Sequence, residues 1–257
     1  MNDLNSFPEK FNVLVQGASR GIGLEFVRQL AGFERVGQVV ATCRDPSAAD
    51  QLKRLADRNP DRIRAETLDI TRPEQIESLA EKLESQGLSF SLVLNVAGLL
   101  HANDLQPEKR LEDIEWDKLQ RVFAVNALGP ALFVRHMHRL LARRDKAVLA
   151  AISARVGSIG DNRLGGWYAY RASKSALNQL LRTSAIELKR RRRNVIVAAL
   201  HPGTTDTGLS APFLSNVPED KLFSVERTVA QLLKVIDGLD AEDSGGFFAW
   251  DGKPIEW

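Results

Sequence analysis

The 257-residue chain has one cysteine, Cys43, four histidines and two tyrosines. A single cysteine excludes an intrachain disulfide, and nothing around it suggests an activated thiol, so Cys43 reads as a small buried residue. The histidines are dispersed. His136 and His138 stand two apart on an expected helix, where their side chains point to different faces, so no metal site is expected. No apolar run reaches transmembrane length, and the opening segment MNDLNSFPEK carries charges and a proline in place of a signal-like apolar stretch. The expectation is a cytoplasmic protein without a membrane partner. An excess of one charge is missing too: 35 lysines and arginines face 33 acids, for a formal charge of +2. The charges are scattered, which gives no reason to expect a nucleic-acid partner. The exception is the basic run at 189–193. It follows an apparent helix over 175–188 and reads as a solvated helix end, where cations suit the dipole, in preference to an anion site.

A hydrophobic content of 44% over this length is enough for one substantial core, so a single domain spanning 1–257 is expected. Short apolar runs at 11–15, 38–42, 64–68, 91–95, 147–152, 195–200 and 246–249 read as buried strands. Between them, helical periodicity covers 22–30, 48–57, 73–86, 111–141, 168–188 and 225–236. Regular alternation of strand and helix implies right-handed crossovers and a parallel sheet covered on both faces: a single-domain α/β doubly wound fold. The stretch 201–223, rich in Pro, Gly, Ser and Thr, follows the sixth strand. A loop there, at the carboxyl edge of the sheet, is placed to cover a substrate.

The first strand runs directly into Gly17-Ala18-Ser19-Arg20-Gly21-Ile22-Gly23, and a helix begins at once. Glycines let backbone approach a pyrophosphate, and the helix N-terminus offers unpaired N–H groups and a favourable dipole. Sites for NAD commonly place an acid at the end of the second strand, whereas a 2′-phosphate calls for cations. Here the strand ends Thr42-Cys43-Arg44. Arg44 and Arg20 could flank a 2′-phosphate with two guanidiniums, which favours NADP(H) as cofactor. Asp45 as a ribose ligand is the other reading.

The spacing G-x-x-x-G-x-G resembles the phosphate loop of the short-chain dehydrogenase/reductase family, and the resemblance continues along nearly the whole chain. It implies a Rossmann fold with a seven-stranded parallel sheet in the order 3-2-1-4-5-6-7. Within the loop it makes Gly17, Ser19, Arg20, Gly21, Ile22 and Gly23 cofactor contacts. Asp69, with Ile70 beside it, resembles the aspartate that meets the adenine amino group. Asn95-Val96-Ala97-Gly98 resembles an Asn-Asn-Ala-Gly turn whose second Asn has become Val, which would put Asn95, Ala97 and Gly98 beside the cofactor. Pro202-Gly203-Thr204-Thr205-Asp206-Thr207 is similar to the Pro-Gly-x-x-x-Thr segment, so Pro202, Gly203, Thr205 and Thr207 are expected to reach the nicotinamide and diphosphate.

Tyr170-Arg171-Ala172-Ser173-Lys174 matches the family's Tyr-x-x-x-Lys. Residues four apart share a helix face, so phenol and ammonium can approach one site, where a nearby cation is expected to lower the tyrosine pKa. The resemblance makes Tyr170 the proton donor and acceptor, and Lys174 both its partner and a ligand of the nicotinamide ribose. Asn126 resembles the asparagine that holds a proton-relay water. It is equally read as an Asn bonded to backbone at a helix irregularity near Pro130. The family's serine should follow the fifth strand, but aligned on Gly157 its place falls on Ala154. Ser153 faces the other side of the strand.

The stretches Ser153 to Ile159, Gly165 to Arg171 and Phe248 to Gly252 resemble the C-factor subgroup, where that place is ordinarily a second serine. The expected function is hydride transfer between NADPH and a carbonyl or alcohol substrate, impaired by Ala154. The alternative is an NADP(H)-binding signalling or sensor protein with little catalysis. Members of the family often pair their fourth and fifth helices, so a homodimer is also an expectation.

Overall fold

Branched and small apolar residues fill the strands, and each alternates its side chains between two helical layers. The computed structural model describes residues 4–216, 218 and 221–257. The strands are β1 (Phe11–Gln16), β2 (Val36–Cys43), β3 (Ile63–Thr67), β4 (Leu92–Asn95), β5 (Ala147–Ile152) and β6 (Val195–His201). Two short strands follow, β7 (Thr204–Thr205) and β8 (Leu222–Phe223), and then β9 (Phe247–Ala249). Seven of them form a parallel sheet in the order β3-β2-β1-β4-β5-β6-β9. This is the doubly wound Rossmann arrangement expected. The seventh sheet strand is β9 by count because β7 and β8 pair with each other inside the 201–223 stretch, whose positions 217, 219 and 220 lie outside the described residues.

Val13 and Val15 of β1 face a layer built from α1 (Gly21–Gly32), α2 (Asp50–Arg58) and α7 (Val225–Gly238). Leu14 faces the opposite layer of α3 (Pro73–Ser85), α5 (Gly129–Met137) and α6 (Tyr168–Arg191). Burial on both faces explains why the strands read as continuous apolar runs.

The single helix expected over 111–141 is divided. A 3₁₀ turn, Leu111–Asp113, precedes α4 (Trp116–Phe123), then a π turn, Ala124–Leu128, leads into α5 and a second 3₁₀ turn, His138–Leu140. Gly129 opens α5 in close packing, where a β-carbon would stand 2.3 Å from the Ile70 carbonyl. Only glycine lets the helix cross the end of β3 so closely, and Pro130, with no N–H to give, follows at once.

At the far edge of the sheet, the basic run is partly absorbed into structure. Arg192 turns inward and donates to the carbonyls of His138 (3.1 Å), Leu141 (2.8 Å) and Ala142. Lys189 pairs with Glu242 and Arg191 with Glu187. Nearby, Lys146 at the start of β5 donates to the last carbonyls of α7, at Ile236 (3.1 Å) and Asp237 (2.8 Å), and to Ser6 Oγ (2.8 Å). Its Nζ also lies over the Phe7 ring, 4.9 Å from the centroid.

Candidate active site

At the carboxyl ends of β1, β4, β5 and β6 a cleft of about 630 Å³ opens between the glycine loop and the 201–210 segment. Its phosphate end is made of backbone. Gly17 has φ +87, and a β-carbon there would meet the Ala97 nitrogen at 2.6 Å; one on Gly23 would stand 2.0 Å from the Gly17 carbonyl oxygen. No side chain fits at either position, and the loop passes straight into the N-terminus of α1, a helix end that suits an anion.

Arg20 and Arg44 are both exposed and both line this end. Asp45 does not. Its Oδ1 accepts from Ser47 N (2.9 Å), Ser47 Oγ (2.6 Å) and Ala48 N (3.2 Å), which holds its carboxyl below the usual carboxylate range. With Asp45 committed to the turn before α2, Arg20 and Arg44 are the cations at this end. Asp69 lines the cleft while its Oδ1 accepts from the Thr71 N–H and hydroxyl at 2.9 and 2.7 Å.

Asn95 does not reach the cleft. Its Nδ2 donates to Gln16 Oε1 at 2.9 Å, and the Ala97 N–H donates to the same oxygen at 3.3 Å. Gln16 therefore ties down the turn that carries Ala97 and Gly98, and Asn95 acts beneath the surface rather than on it. The sequence reading passed over Gln16, which stands at the strand end immediately before Gly17.

At the other end, Tyr170 and Lys174 share one face of α6 and both line the cleft. The helix begins here because Glu108, buried, accepts from the Ala169 N–H at 3.1 Å, as a capping carboxylate does. Lys174 Nζ lies 5.7 Å from the Tyr170 ring centroid and donates to the Ile152 carbonyl at 2.9 Å. Burial pushes the phenol above its ordinary value and brings the ammonium down to about 8. The expected lowering of the tyrosine gives way to a rise caused by burial. The phenol stays protonated at neutral pH.

Asn126, in the π turn, is fully buried behind Lys174. It accepts from Leu99 N (2.8 Å) and donates to Leu99 O (2.8 Å) and Ser173 Oγ (3.0 Å). Its backbone-bonded reading holds. It stands outside the cleft lining, and Gly98 lies between it and the opening, where a β-carbon would be 3.6 Å from both Asn126 Oδ1 and Lys174 Nζ.

After β5, Ser153 turns away and donates to Asn178 Oδ1 at 2.6 Å. Ser158 accepts from the Asp161 N–H at 3.1 Å and lines a separate hollow. Ile152, Ser153 and Ala154 all border the cleft with Tyr170, but the Ser153 hydroxyl proton is committed to Asn178 and Ala154 has no hydroxyl to offer. The turn bearing Ala154 is tied to β6 through His201, whose Nδ1 accepts from the Arg155 N–H at 3.3 Å. Burial, with Arg155 close by, lowers His201 to about 4. His201 also lines the cleft and was missed in the sequence, where it is masked by the Pro-Gly that follows.

Ser19, Gly21, Ile22, Ile70, Ala97, Gly98, Pro202, Gly203, Thr205 and Thr207 also border the cleft. Thr205 does so with its hydroxyl already engaged to Thr228 at 2.8 Å.

Residues 12–217 match the family model described as short chain dehydrogenase. The chain belongs to the short-chain dehydrogenase family. Within it, the chain is 33% identical over 246 residues to a 1-hydroxy-2-glutathionyl-2-methyl-3-butene dehydrogenase of Rhodococcus sp. (strain AD45), covering 95% of this chain and 99% of that one. It is 35% identical over 147 residues to the C-signal of Myxococcus xanthus, covering 57% and 83% respectively. Among solved short-chain dehydrogenase structures, it is similar to an NADPH-bound carbonyl reductase from chicken fatty liver, with a TM-score of 0.87, 29% identity and coverage of 100% and 98%. It is likewise similar to a Pseudomonas aeruginosa carbonyl reductase in complex with NADP, with a TM-score of 0.77, 26% identity and coverage of 96% and 100%.

Proposed function

We propose that this short-chain dehydrogenase is an NADP(H)-dependent oxidoreductase acting on a carbonyl or alcohol substrate, with carbonyl reduction as its working direction. The observation that carries the reading is one cleft with two matched ends: Arg20 and Arg44 at the phosphate end, Tyr170 and Lys174 at the other. The NADP(H)-bound carbonyl reductases that the chain resembles support it. The steric fit does too, because Gly17 and Gly23 have no room for a β-carbon where the loop runs into the N-terminus of α1, the kind of helix start that suits a pyrophosphate.

When bound, the nicotinamide ring supplies or accepts the hydride. The chain's own residues do the rest. Tyr170, kept protonated by burial, gives its proton to the carbonyl oxygen as charge develops there. Lys174 steadies the phenolate left behind and holds the nicotinamide ribose. Asn126 fixes the backbone at Leu99 behind that pair. Ala154 presents a methyl group where a hydroxyl would bond the carbonyl oxygen, so turnover is reduced. The 201–223 segment covers the substrate.

A second reading, a cofactor-binding sensor or signalling protein with little catalysis, draws on Ala154 and on the C-signal relative. Titration with NADPH and NADH, followed by turnover with a panel of ketones and aldehydes, tests both readings. The expected result is tighter NADPH binding and NADPH-dependent reduction, with Tyr170→Phe retaining cofactor affinity and losing roughly 10²–10⁴-fold in rate. Binding without turnover favours the sensor, and equal affinity for the two cofactors removes the NADP(H) assignment.

A further inference from the structure

Three consecutive residues before the Tyr170 helix have left-handed backbone: Gly165 at φ +65, Gly166 at φ +64 and Trp167 at φ +53. Two are glycines, which adopt this region freely. The third carries a β-carbon and an indole, for which the conformation is strained.

The turn is held from several sides. Trp167 donates its N–H to the Glu108 carbonyl at 2.6 Å and accepts from the Arg171 N–H at 2.8 Å. Arg171 Nε donates to the carbonyls of Gly166 (3.0 Å) and Gly165 (3.2 Å). None of these bonds uses the indole. A glycine at 167 would make every one of them without strain, so the ring is not what builds the turn.

What the ring adds is surface. It stands edge-on to Tyr170, with centroids 6.2 Å apart at 78°. On it rests Phe213 of the covering segment, at 4.9 Å and 58°. Phe213 in turn meets the edge of His101 at 5.8 Å, and His101 Nε2 donates to the Gly208 carbonyl at 3.0 Å. The segment that roofs the cleft is therefore fastened at two points, and one of them is the indole beside the proton donor. The ring is half-buried and stands just beyond the residues that line the cleft, against the edge of Tyr170, which does line it.

We infer that Trp167 is the specificity-determining residue of this site. Its indole is the apolar wall on which the substrate's carbon substituent lies while Tyr170 meets the carbonyl oxygen, and it is the clasp for Phe213. The chemical class selected is a carbonyl compound with an aryl or similarly flat apolar substituent, because such a face can stack on the indole as Phe213 does. This inference rests on the carbonyl-reduction reading of the site.

The test uses non-reacting ternary complexes, so that no turnover is needed. Acetophenone and 2-butanone are titrated into the protein saturated with NADP⁺, for the parent, Trp167→Gly and Trp167→Phe, and backbone amide exchange is followed over residues 208–214. Trp167→Gly is expected to keep NADP⁺ affinity and a thermal midpoint at or above the parent's. It should weaken acetophenone about tenfold more than 2-butanone, and speed exchange over 208–214. Trp167→Phe, which keeps a ring, should restore most of the acetophenone affinity. Equal losses for the two ketones, or none, overturn the wall; unchanged exchange overturns the clasp. If the NADP⁺-loaded parent binds neither ketone, the carbonyl reading falls and the wall with it, while the exchange measurement still decides the clasp.

Discussion

The two ends of the cleft are made in different ways. At the glycine loop the backbone is the tight part: β-carbons on Gly17 and Gly23 would lie 2.6 and 2.0 Å from main-chain atoms. At the Tyr170 end side chains border the opening: a phenol, an ammonium, a methyl at 154 and an imidazole under the turn. The first end admits one solution and breaks when altered. The second can be retuned residue by residue while the fold and the phosphate site stay in place.

The sharpest way to break this contrast is Gly23→Ala. The added methyl has only backbone to push against, so the loop must move, and a cost of at least about 3 kcal/mol is expected, at the upper end for overpacking. Thermal unfolding should show a midpoint lower by several degrees, and NADPH titration should show no saturable binding. A variant that binds normally would mean the loop is far softer than its packing implies.

A smaller effect, of opposite sign, is expected at the chemical end. Ala154→Ser should raise kcat by at least an order of magnitude at unchanged NADPH affinity, since one such donor is commonly worth about 10²–10³-fold. Ser153 already gives its hydroxyl proton to Asn178, and Ser158 lines a separate hollow. Single-turnover rates in the two proteins check it, and equal rates would show that position 154 is not the place of the missing hydroxyl.

The smallest effect comes from His201. Its folded pKa, lowered to about 4 by burial, lies below the ordinary value of about 6.5. Between those values the unfolded chain binds the proton and the folded chain does not. Stability from this group is therefore present above about pH 6.5 and is lost as pH falls toward 4, on the order of 1–2 kcal/mol between pH 7 and pH 5. Urea unfolding at both pH values should show that loss in the parent and a shallower one in His201→Asn. Identical slopes would remove His201 from the support of the Ala154 turn.

The glycine end was legible in the sequence for the same reason that it is brittle: a turn that only glycine can make leaves glycines at fixed spacing. That the Ser153 hydroxyl would turn elsewhere was legible as well, and it gives its proton to Asn178. Asn95 was not. Its partner, Gln16, is 79 positions away, and no local pattern tells whether an amide turns up into a cleft or down under it. The close packing of Gly129 against Ile70 was hidden similarly, since it is a contact across the fold. Strands β7 and β8, two residues each, are too short to carry any periodicity. The strain at Trp167 left no signal beyond the two glycines before it.

The ammonium of Lys146 joins Ser6, the Phe7 ring and the end of α7, stretches separated by up to 231 positions, with Ser6 and Asp237 also bonded directly at 2.7 Å. Closing loops that long brings entropy loss before it brings contact. This knot belongs among the last contacts to form as the chain folds and does little to set the folding rate. Its hold is on the way out: with the opening segment pinned to the last long helix, neither can peel from the sheet alone, and the two loosen as one unit.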